Sequence, residues 1–239
     1  MRSQNINGII FCVLSLLFFK TALAIAEAKS QSNSVFNPWI IEDFQDKKEG
    51  EFPKEFLAYP FQRQKVFKIY KVQGEGQNLF LHAQDVPGLT NQVFKKFDWD
   101  SKNEAILSWK WRPQSLPKNG AENNSATNDS ACAVYIAYGG WGGKALKYVW
   151  STTLKPGTVI EVTPNKYYMV VVESGSQYLG QWKTVFVDMK KEYQKYFRGD
   201  FQTPKGFGLL TDGDQTQSLS ACDYDDFVAL PEGMDTIKK

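Results

Sequence analysis

Three short clusters of acidic residues in this 239-residue chain have the residue types and spacing that could bind a cation or catalyse a reaction. Residues 42–43 end the first apolar segment, residues 212–216 have the pattern D-x-D-x-T, and residues 223–226 open the last apolar segment. Hard cations such as calcium bind several oxygen ligands at once. The sequence therefore predicts a structural calcium site at Asp212 and Asp214. The alternative is that these residues stabilise their own turn through hydrogen bonds to the local backbone.

A second cation site is predicted where the two ends of the domain meet. The first and last strands of a β-sandwich often lie side by side, and this would bring Asp43 next to Asp226. Two carboxylates in contact need a shared cation or a protonation shift. Asp43 and Asp226 are therefore predicted metal ligands.

Paired carboxylates also permit an enzymatic interpretation, a polysaccharide hydrolase or lyase. Hydrolysis of a glycoside uses one carboxyl group as acid and another as nucleophile or base. A lyase would instead use Arg112 with Tyr148 near a neutralised uronate. The carboxylates available for a hydrolase are Asp188, Glu192, Asp212 and Asp214.

Several other kinds of chemistry are excluded by the residue inventory. His82 is the single histidine and lies in a strand-like segment, which excludes zinc sites built on several histidines. A Ser-His-Asp or Cys-His arrangement would have to use it as the base, and the sequence favours an ordinary strand histidine instead. The glycine run at 139–143 lacks the Lys-Ser/Thr ending of a phosphate-binding loop, so it is interpreted as a turn with Trp141 at its tip.

The leading functional hypothesis is a non-catalytic module that binds a carbohydrate or another polar extracytoplasmic ligand. It rests on an analogy with sandwiches that present aromatic and polar side chains to sugars. The candidate ligand-binding residues are Trp111, Arg112, Trp150, Tyr178 and Trp182. Within residues 105–112 the alternation places Trp109 and Trp111 on one face, which also suits the core, and Arg112 on the other. A third interpretation is a structural periplasmic domain that binds another protein through an edge strand or through the Gly-Trp-Gly loop.

These residues are predicted to lie on short strands. About ten segments alternate or run apolar, including residues 35–44, 66–72, 78–83 and 105–112, and turn signals separate them. One short helix is predicted after Asp188, where Met189, Tyr193 and Phe197 recur at helical spacing. The pattern predicts an all-β domain, a sandwich or barrel, and favours two sheets.

The amino terminus has the pattern of a secretory signal. Arg2 precedes an apolar run at 9–19, and small residues follow, with cleavage possible after Ala24, Ala26 or Ala28. We expect a signal peptide at 1–24, a linker at 25–34 and one domain at 35–239, located in the periplasm or secreted, with no membrane span after cleavage. Without Arg2 and Lys20 the chain has 26 basic and 26 acidic residues. This balance gives no electrostatic basis for binding nucleic acid.

Cys132 and Cys222 are the cysteines that remain after cleavage. An oxidising compartment permits them to pair. The alternative is two free thiols buried on separate strands.

Short segments in a fixed order resemble a bacterial exported family known as domain of unknown function 3047. They cover nearly all of the mature chain: FP at 52–53, VPGL at 86–89, LSWKWR at 107–112, YVWS at 148–151, VVESG at 171–175, LGQW at 179–182, VD at 187–188, TDGDQT at 211–216 and DDF at 225–227. The resemblance implies a single exported β-sandwich of jelly-roll type, with no established activity. The family pattern places an acidic pair and an arginine before the strand at 134–136, where this chain has Asn128, Asp129 and Ala133.

Overall fold

Side chains on the strand Ile106–Ser115 alternate between the core and the outer surface, as expected for a half-buried strand. Trp109 and Trp111 are fully buried, whereas Lys110 and Arg112 are only partly buried. This strand therefore gives its large apolar groups to the core and its cations to the outer face.

The structure is a computed structural model that describes residues 38–58, 63–85, 89–139 and 143–234. The predicted signal peptide, the linker and the loop residue Trp141 lie outside the described residues. Two helices are present in the described part, α1 (Arg63–Ile69) and α2 (Met189–Tyr196).

Thirteen strands in the described part form two sheets. The first sheet contains β1 (Trp39–Glu42), β3 (Tyr70–Glu75), β4 (Asn78–Asp85), β6 (Ile106–Ser115), β11 (Lys183–Asp188) and β13 (Ser220–Leu230). The second sheet contains β2 (Leu57–Ala58), β5 (Val93–Lys96), β7 (Cys132–Tyr138), β8 (Lys144–Ser151), β9 (Val159–Thr163), β10 (Tyr167–Ser174) and β12 (Pro204–Leu210).

The strand order shows how the chain closes. The first sheet runs β11-β6-β13-β4-β3, with β1 paired to the C-terminal half of β13, and the second runs β2-β5-β12-β7-β8-β10-β9. All pairs are antiparallel except β8 with β10. The fold is an all-β, two-sheet, jelly-roll-like sandwich, and the predicted pairing of the first and last strands is confirmed by β1 and β13.

Aromatic side chains fill the space between the sheets. Trp109 and Trp111 of the first sheet meet Tyr148 and Trp150 of the second, with ring centres 5.6 Å and 6.1 Å apart. Burying rings of this size contributes much of the stability of a sandwich core.

A disulfide also joins the two sheets. It links Cys132 at the start of β7 to Cys222 in β13, and both residues are fully buried. Of the two states left open by the sequence, the structure has the paired one.

The helices differ from the prediction in number. Asp188 caps α2 as predicted, because its carboxylate accepts the N–H of Lys191 at 2.9 Å. The predicted strand at 66–72 is wrong over its first part, where α1 ends at Ile69. Val66 and Ile69, three residues apart, are both buried, whereas Phe67 is exposed, and this spacing suits one helical face. Neither described helix has the length and apolar character that crossing a bilayer requires.

Candidate functional site

One row of side chains crosses the outer face of the first sheet. Arg112 on β6 stands opposite Asp223 on β13, and Asp223 stands opposite His82 on β4. The chain neighbours Trp111 and Leu81 are buried in the core, so the row points outward. The register therefore places a guanidinium, a carboxylate and an imidazole side by side.

Asp223 is the centre of this row. Its side chain is 1% exposed, and its two oxygens have different partners. Oδ1 lies 2.6 Å from Nδ1 of His82. Oδ2 accepts hydrogen bonds from Nε of Arg112 at 2.8 Å and from the side-chain amide of Gln114 at 2.6 Å. A buried carboxylate with three polar partners is held in one orientation, so it orients Arg112 and His82 in turn.

The guanidinium of Arg112 packs against two aromatic rings. Its Cζ lies 4.5 Å from the centre of the Trp182 ring and 5.0 Å from the centre of the Phe80 ring. Nη1 donates to Glu75 at 2.8 Å. Hydrogen bonds of Arg112 within the described residues use Nε and Nη1, and a guanidinium carries five N–H donors. Donors therefore remain beside the half-buried ring of Trp182. We call the group of His82, Arg112, Gln114, Trp182 and Asp223 the Arg112 surface.

The loop between β10 and β11 brings Tyr178 to the edge of this surface. The N–H of Gly180 donates to the carbonyl of Pro113, the residue after Arg112, at 2.9 Å. The loop then leads directly to Trp182. Three of the five predicted ligand-binding residues, Arg112, Tyr178 and Trp182, are thus brought to the same end of β6.

The prediction that Trp111 and Trp150 bind a ligand is wrong, because both side chains are buried in the core and contact each other there. Trp111 shares the inward face of β6 with Trp109. Trp150 has a supporting role, since its indole N–H donates to the carbonyl of Gly175 at 3.0 Å. Gly175 begins the loop that carries Tyr178, so Trp150 holds that loop from the core side.

Of the residues predicted for catalysis, only Asp212 and Asp214 lie together. Asp188 is engaged as the cap of α2, and Glu192 lies 3.5 Å from Lys195 on the same helix. The predicted lyase pair is separated, because Tyr148 is buried between the sheets whereas Arg112 lies on the outer face. The alternation of each strand decides this, since adjacent positions face opposite sides.

Asp43 and Asp226 each have a partner of their own. Asp226 forms an ion pair with Lys110 at 2.7 Å, and Asp43 accepts the N–H of Gln45 at 3.2 Å. The pairing of β1 with β13 was predicted correctly, but the lysine balances the charge of Asp226. Lys110 thus supplies a positive charge beside Asp226, and a cation shared by Asp43 and Asp226 stays a prediction.

The predicted calcium ligands Asp212 and Asp214 lie together with a third carboxylate, Asp129. One oxygen of each lies within 4.8 Å of the others. Asp129 also accepts the N–H of Gln215 at 3.3 Å and the N–H of Thr216 at 2.6 Å. Turn stabilisation, the alternative considered for this segment, is present as well: Oδ1 of Asp212 accepts the N–H of Asp214 at 3.4 Å, and Asp129 adds its two hydrogen bonds from outside the turn.

A fourth carboxylate, Asp85, reaches this group through a threonine. The hydroxyl oxygen of Thr90 lies 2.9 Å from Oδ2 of Asp85 and 2.8 Å from Oδ1 of Asp212. Burial, assisted by the neighbouring carboxylates, raises the pKa of Asp212 to about 7, and burial also raises the pKa of Asp85. We call Asp85, Asp129, Asp212 and Asp214 the Asp212 cluster.

Sequence reasoning missed several of these partners. Asp85 and Asp129 lie far from Asp212 in the chain, and only the strand order brings them together. The local feature that could have identified them is their position at a strand end, since Asp85 ends β4 and Asp129 stands shortly before β7. His82 was interpreted as an ordinary strand residue, although the outward positions of β4 and β13 place it opposite Asp223.

The chain matches one family model and is similar to several solved structures. A family model described as "Protein of unknown function (DUF3047)" matches residues 55–228. A family 11 carbohydrate-binding module of a cellulosomal cellulase of Clostridium thermocellum is similar at 11% identity and a TM-score of 0.38, over 83% of this chain and 96% of that one. TmCBM61 in complex with β-1,4-galactotriose is similar at 10% identity and a TM-score of 0.39, over 82% and 99%. The agarase AgWH50C is similar at 9% identity and a TM-score of 0.39, over 81% and 26%. No curated protein sequence matches the chain.

Proposed function

We propose that this chain, which belongs to the DUF3047 family of proteins of unknown function, is an exported module that binds a carbohydrate through the Arg112 surface. The observation that carries the proposal is the arrangement of Arg112. Asp223 fixes the guanidinium from one side, and the ring of Trp182 covers it from another.

This arrangement suits a polyhydroxylated ligand. Sites for small polar molecules combine aromatic side chains with a few fixed polar groups that set the orientation of the ligand. Arg112 supplies N–H donors for hydroxyl or carboxylate oxygens, and the half-buried ring of Trp182 supplies apolar area for a sugar. The ring of Tyr178, with Nζ of Lys183 3.4 Å from its centre, lies at the edge of this area. His82 and Gln114 extend the polar row across the sheet.

Export is supported by two independent features. The amino-terminal pattern is that of a secretory signal. The bond between Cys132 and Cys222 requires an oxidising compartment. The periplasm or the cell exterior is therefore the proposed location, and an envelope or extracellular polysaccharide is the proposed partner.

Affinity electrophoresis of the exported protein against neutral and acidic polysaccharides tests the proposal. We expect retardation by at least one polysaccharide, and a loss of affinity of at least about tenfold in both Trp182→Ala and Arg112→Lys, because lysine lacks the planar fork. Phe67→Ala is the matched control, since Phe67 is 55% exposed on α1, outside the Arg112 surface. Failure of the wild type to bind any polysaccharide, or wild-type affinity in both the Trp182 and the Arg112 variants, would overturn it.

A further inference from the structure

Oxygen atoms of the Asp212 cluster are close enough to share one ion. Calcium binds oxygen at about 2.3–2.6 Å, so two oxygens on one calcium ion are at most about 5 Å apart. One oxygen from each of Asp129, Asp212 and Asp214 lies within 4.8 Å of the others. The three carboxylates therefore satisfy the distance limit without any movement of the chain.

The charge of the cluster is offset only in part by protein cations, since the buried Lys147 attracts Asp212 from beyond ion-pair distance. No arginine or lysine forms an ion pair with any of its four carboxylates among the described residues. The hydroxyl of Thr90 lies within 2.9 Å of both Asp85 and Asp212 but has one hydrogen to donate. One of these two carboxylates therefore faces a lone pair of the Thr90 hydroxyl and receives no hydrogen bond from it.

Buried oxygens without partners give a second, independent indication. Asp85 and Ser220 are fully buried, and Oδ1 of Asp85 and Oγ of Ser220 have no hydrogen-bond partner in the described structure. Oδ1 of Asp214 is also a buried atom without a hydrogen-bond partner in the described structure. Asp85 is held against the turn because its Oδ2 accepts the N–H of Gly213 at 3.1 Å. Leaving such atoms unpaired is costly, and a cation is the partner that several of them could share.

Ser220 lies directly against the same turn. A Cβ at Gly213 would lie 3.2 Å from Cβ of Ser220 and 2.2 Å from the carbonyl oxygen of Ser218. Only glycine therefore permits the chain to pass this close to the carbonyl of Ser218, and Ser220 lies beside the same residue. The unpartnered hydroxyl is thus packed beside the segment that carries Asp212 and Asp214.

We propose that the Asp212 cluster is a calcium site, with Asp129, Asp212 and Asp214 as direct ligands and Asp85 as a further carboxylate at its buried side. The donors are all oxygens, which hard cations prefer and zinc does not. His82 and the cysteines are engaged elsewhere, by Asp223 and by the disulfide.

The ion would have a structural role. Asp85 ends β4 of the first sheet, Asp129 precedes β7 of the second, and Asp212 and Asp214 lie in the connection from β12 to β13. One calcium ion would therefore fasten both sheets at this end of the sandwich. Because the Asp212 cluster shares no residue with the Arg112 surface, this proposal does not depend on the proposed function.

Thermal unfolding of the exported protein, after treatment with EDTA and gel filtration, tests the proposal with calcium or magnesium chloride. A ligand that binds only the folded state raises Tm, here by about 5–10 °C at a calcium concentration a hundred times Kd. We expect this rise with calcium, a smaller one with magnesium, and one bound calcium ion per chain by elemental analysis.

The decisive variant is Asp214→Asn, which keeps the side-chain shape and removes one charge. We expect it to lose the calcium-dependent rise in Tm while its calcium-free Tm equals or exceeds that of the wild type, because repulsion within the cluster decreases. Asp200→Asn, an exposed carboxylate outside the cluster, should respond to calcium as the wild type does. A wild-type protein that neither binds calcium nor gains Tm, or an Asp214→Asn variant with the full rise, would show that the proposal is wrong.

Discussion

Nδ1 of His82 lies 2.6 Å from Oδ1 of Asp223, and this contact joins two strands on the outer face of the first sheet. The other oxygen of Asp223 accepts from Arg112 and Gln114. One buried carboxylate thus connects three polar side chains that come from β4 and β6. The organisation of the Arg112 surface therefore depends on Asp223 more than on any of its exposed members.

Replacing Asp223 by asparagine should weaken both ligand binding and stability. The change keeps the side-chain shape but leaves Arg112 with Glu75 alone as its carboxylate partner. We expect the free energy of unfolding to fall by about 3 kcal/mol, since removing one member of a buried pair strands the other. Polysaccharide affinity should fall with it, as measured by affinity electrophoresis at a temperature where the variant is folded. Asp98→Asn, at an exposed site, is the control, and unchanged affinity in Asp223→Asn would exclude a positioning role.

Two tryptophans that look equivalent in the sequence should behave oppositely. Trp111→Ala removes a fully buried ring and should lower the free energy of unfolding by about 3–5 kcal/mol. Trp182→Ala removes a half-buried ring and should cost about 1 kcal/mol, with its main effect on ligand affinity. Urea titrations compare the two directly. A larger loss of stability in Trp182→Ala would place that ring, and not Trp111, in the core.

The disulfide should be a large contribution to stability. Cys132 and Cys222 are 90 residues apart in the chain, and closing a loop of this length restricts the unfolded state by about 4–5 kcal/mol. The double variant Cys132→Ala with Cys222→Ala should therefore unfold at a lower urea concentration than the oxidised wild type. Reductant should lower the midpoint of the wild type and leave that of the double variant unchanged. Equal midpoints for the oxidised and reduced wild type would contradict this expectation.

Period-two alternation predicted the sheets well because one face of each strand is buried. It placed Trp109 and Trp111 on one side of β6 and Arg112 on the other, as observed. It failed at residues 66–69, where a short apolar run fits a helical face as well as a strand. It also gave no strand at β11, a short alternating segment with Val185 and Val187 buried directly before the predicted helix.

The candidate sites were harder to predict than the fold, for a physical reason. Local patterns identified Asp212 and Asp214, but their partner Asp129 is contributed by a distant segment. Strand order and register decide which distant residues come into contact. Both follow from the packing of the whole core and not from any one segment. The same limit applies to Asp226, whose partner Lys110 comes from a third strand that no local pattern places beside it.

Stability should depend on pH through Asp225, which is 2% exposed. Its carboxylate accepts hydrogen bonds from Asn78 and from the N–H of Asp226, each at 2.8 Å. Burial, with some repulsion from Asp226, raises the pKa of Asp225 from 3.8 to about 6. The folded protein therefore holds this proton more tightly than the unfolded chain does. The stabilising contribution is complete below about pH 4 and is lost as the pH rises to about 6.

In Asp225→Asn this loss cannot occur, so the free energy of unfolding of the wild type relative to the variant should decrease between pH 4 and 6 and stay level above pH 7. Urea titrations of both proteins across this range, with EDTA present throughout, measure the difference. A difference that is constant or increases with pH would show that Asp225 is ionised in the folded protein as readily as in the unfolded chain.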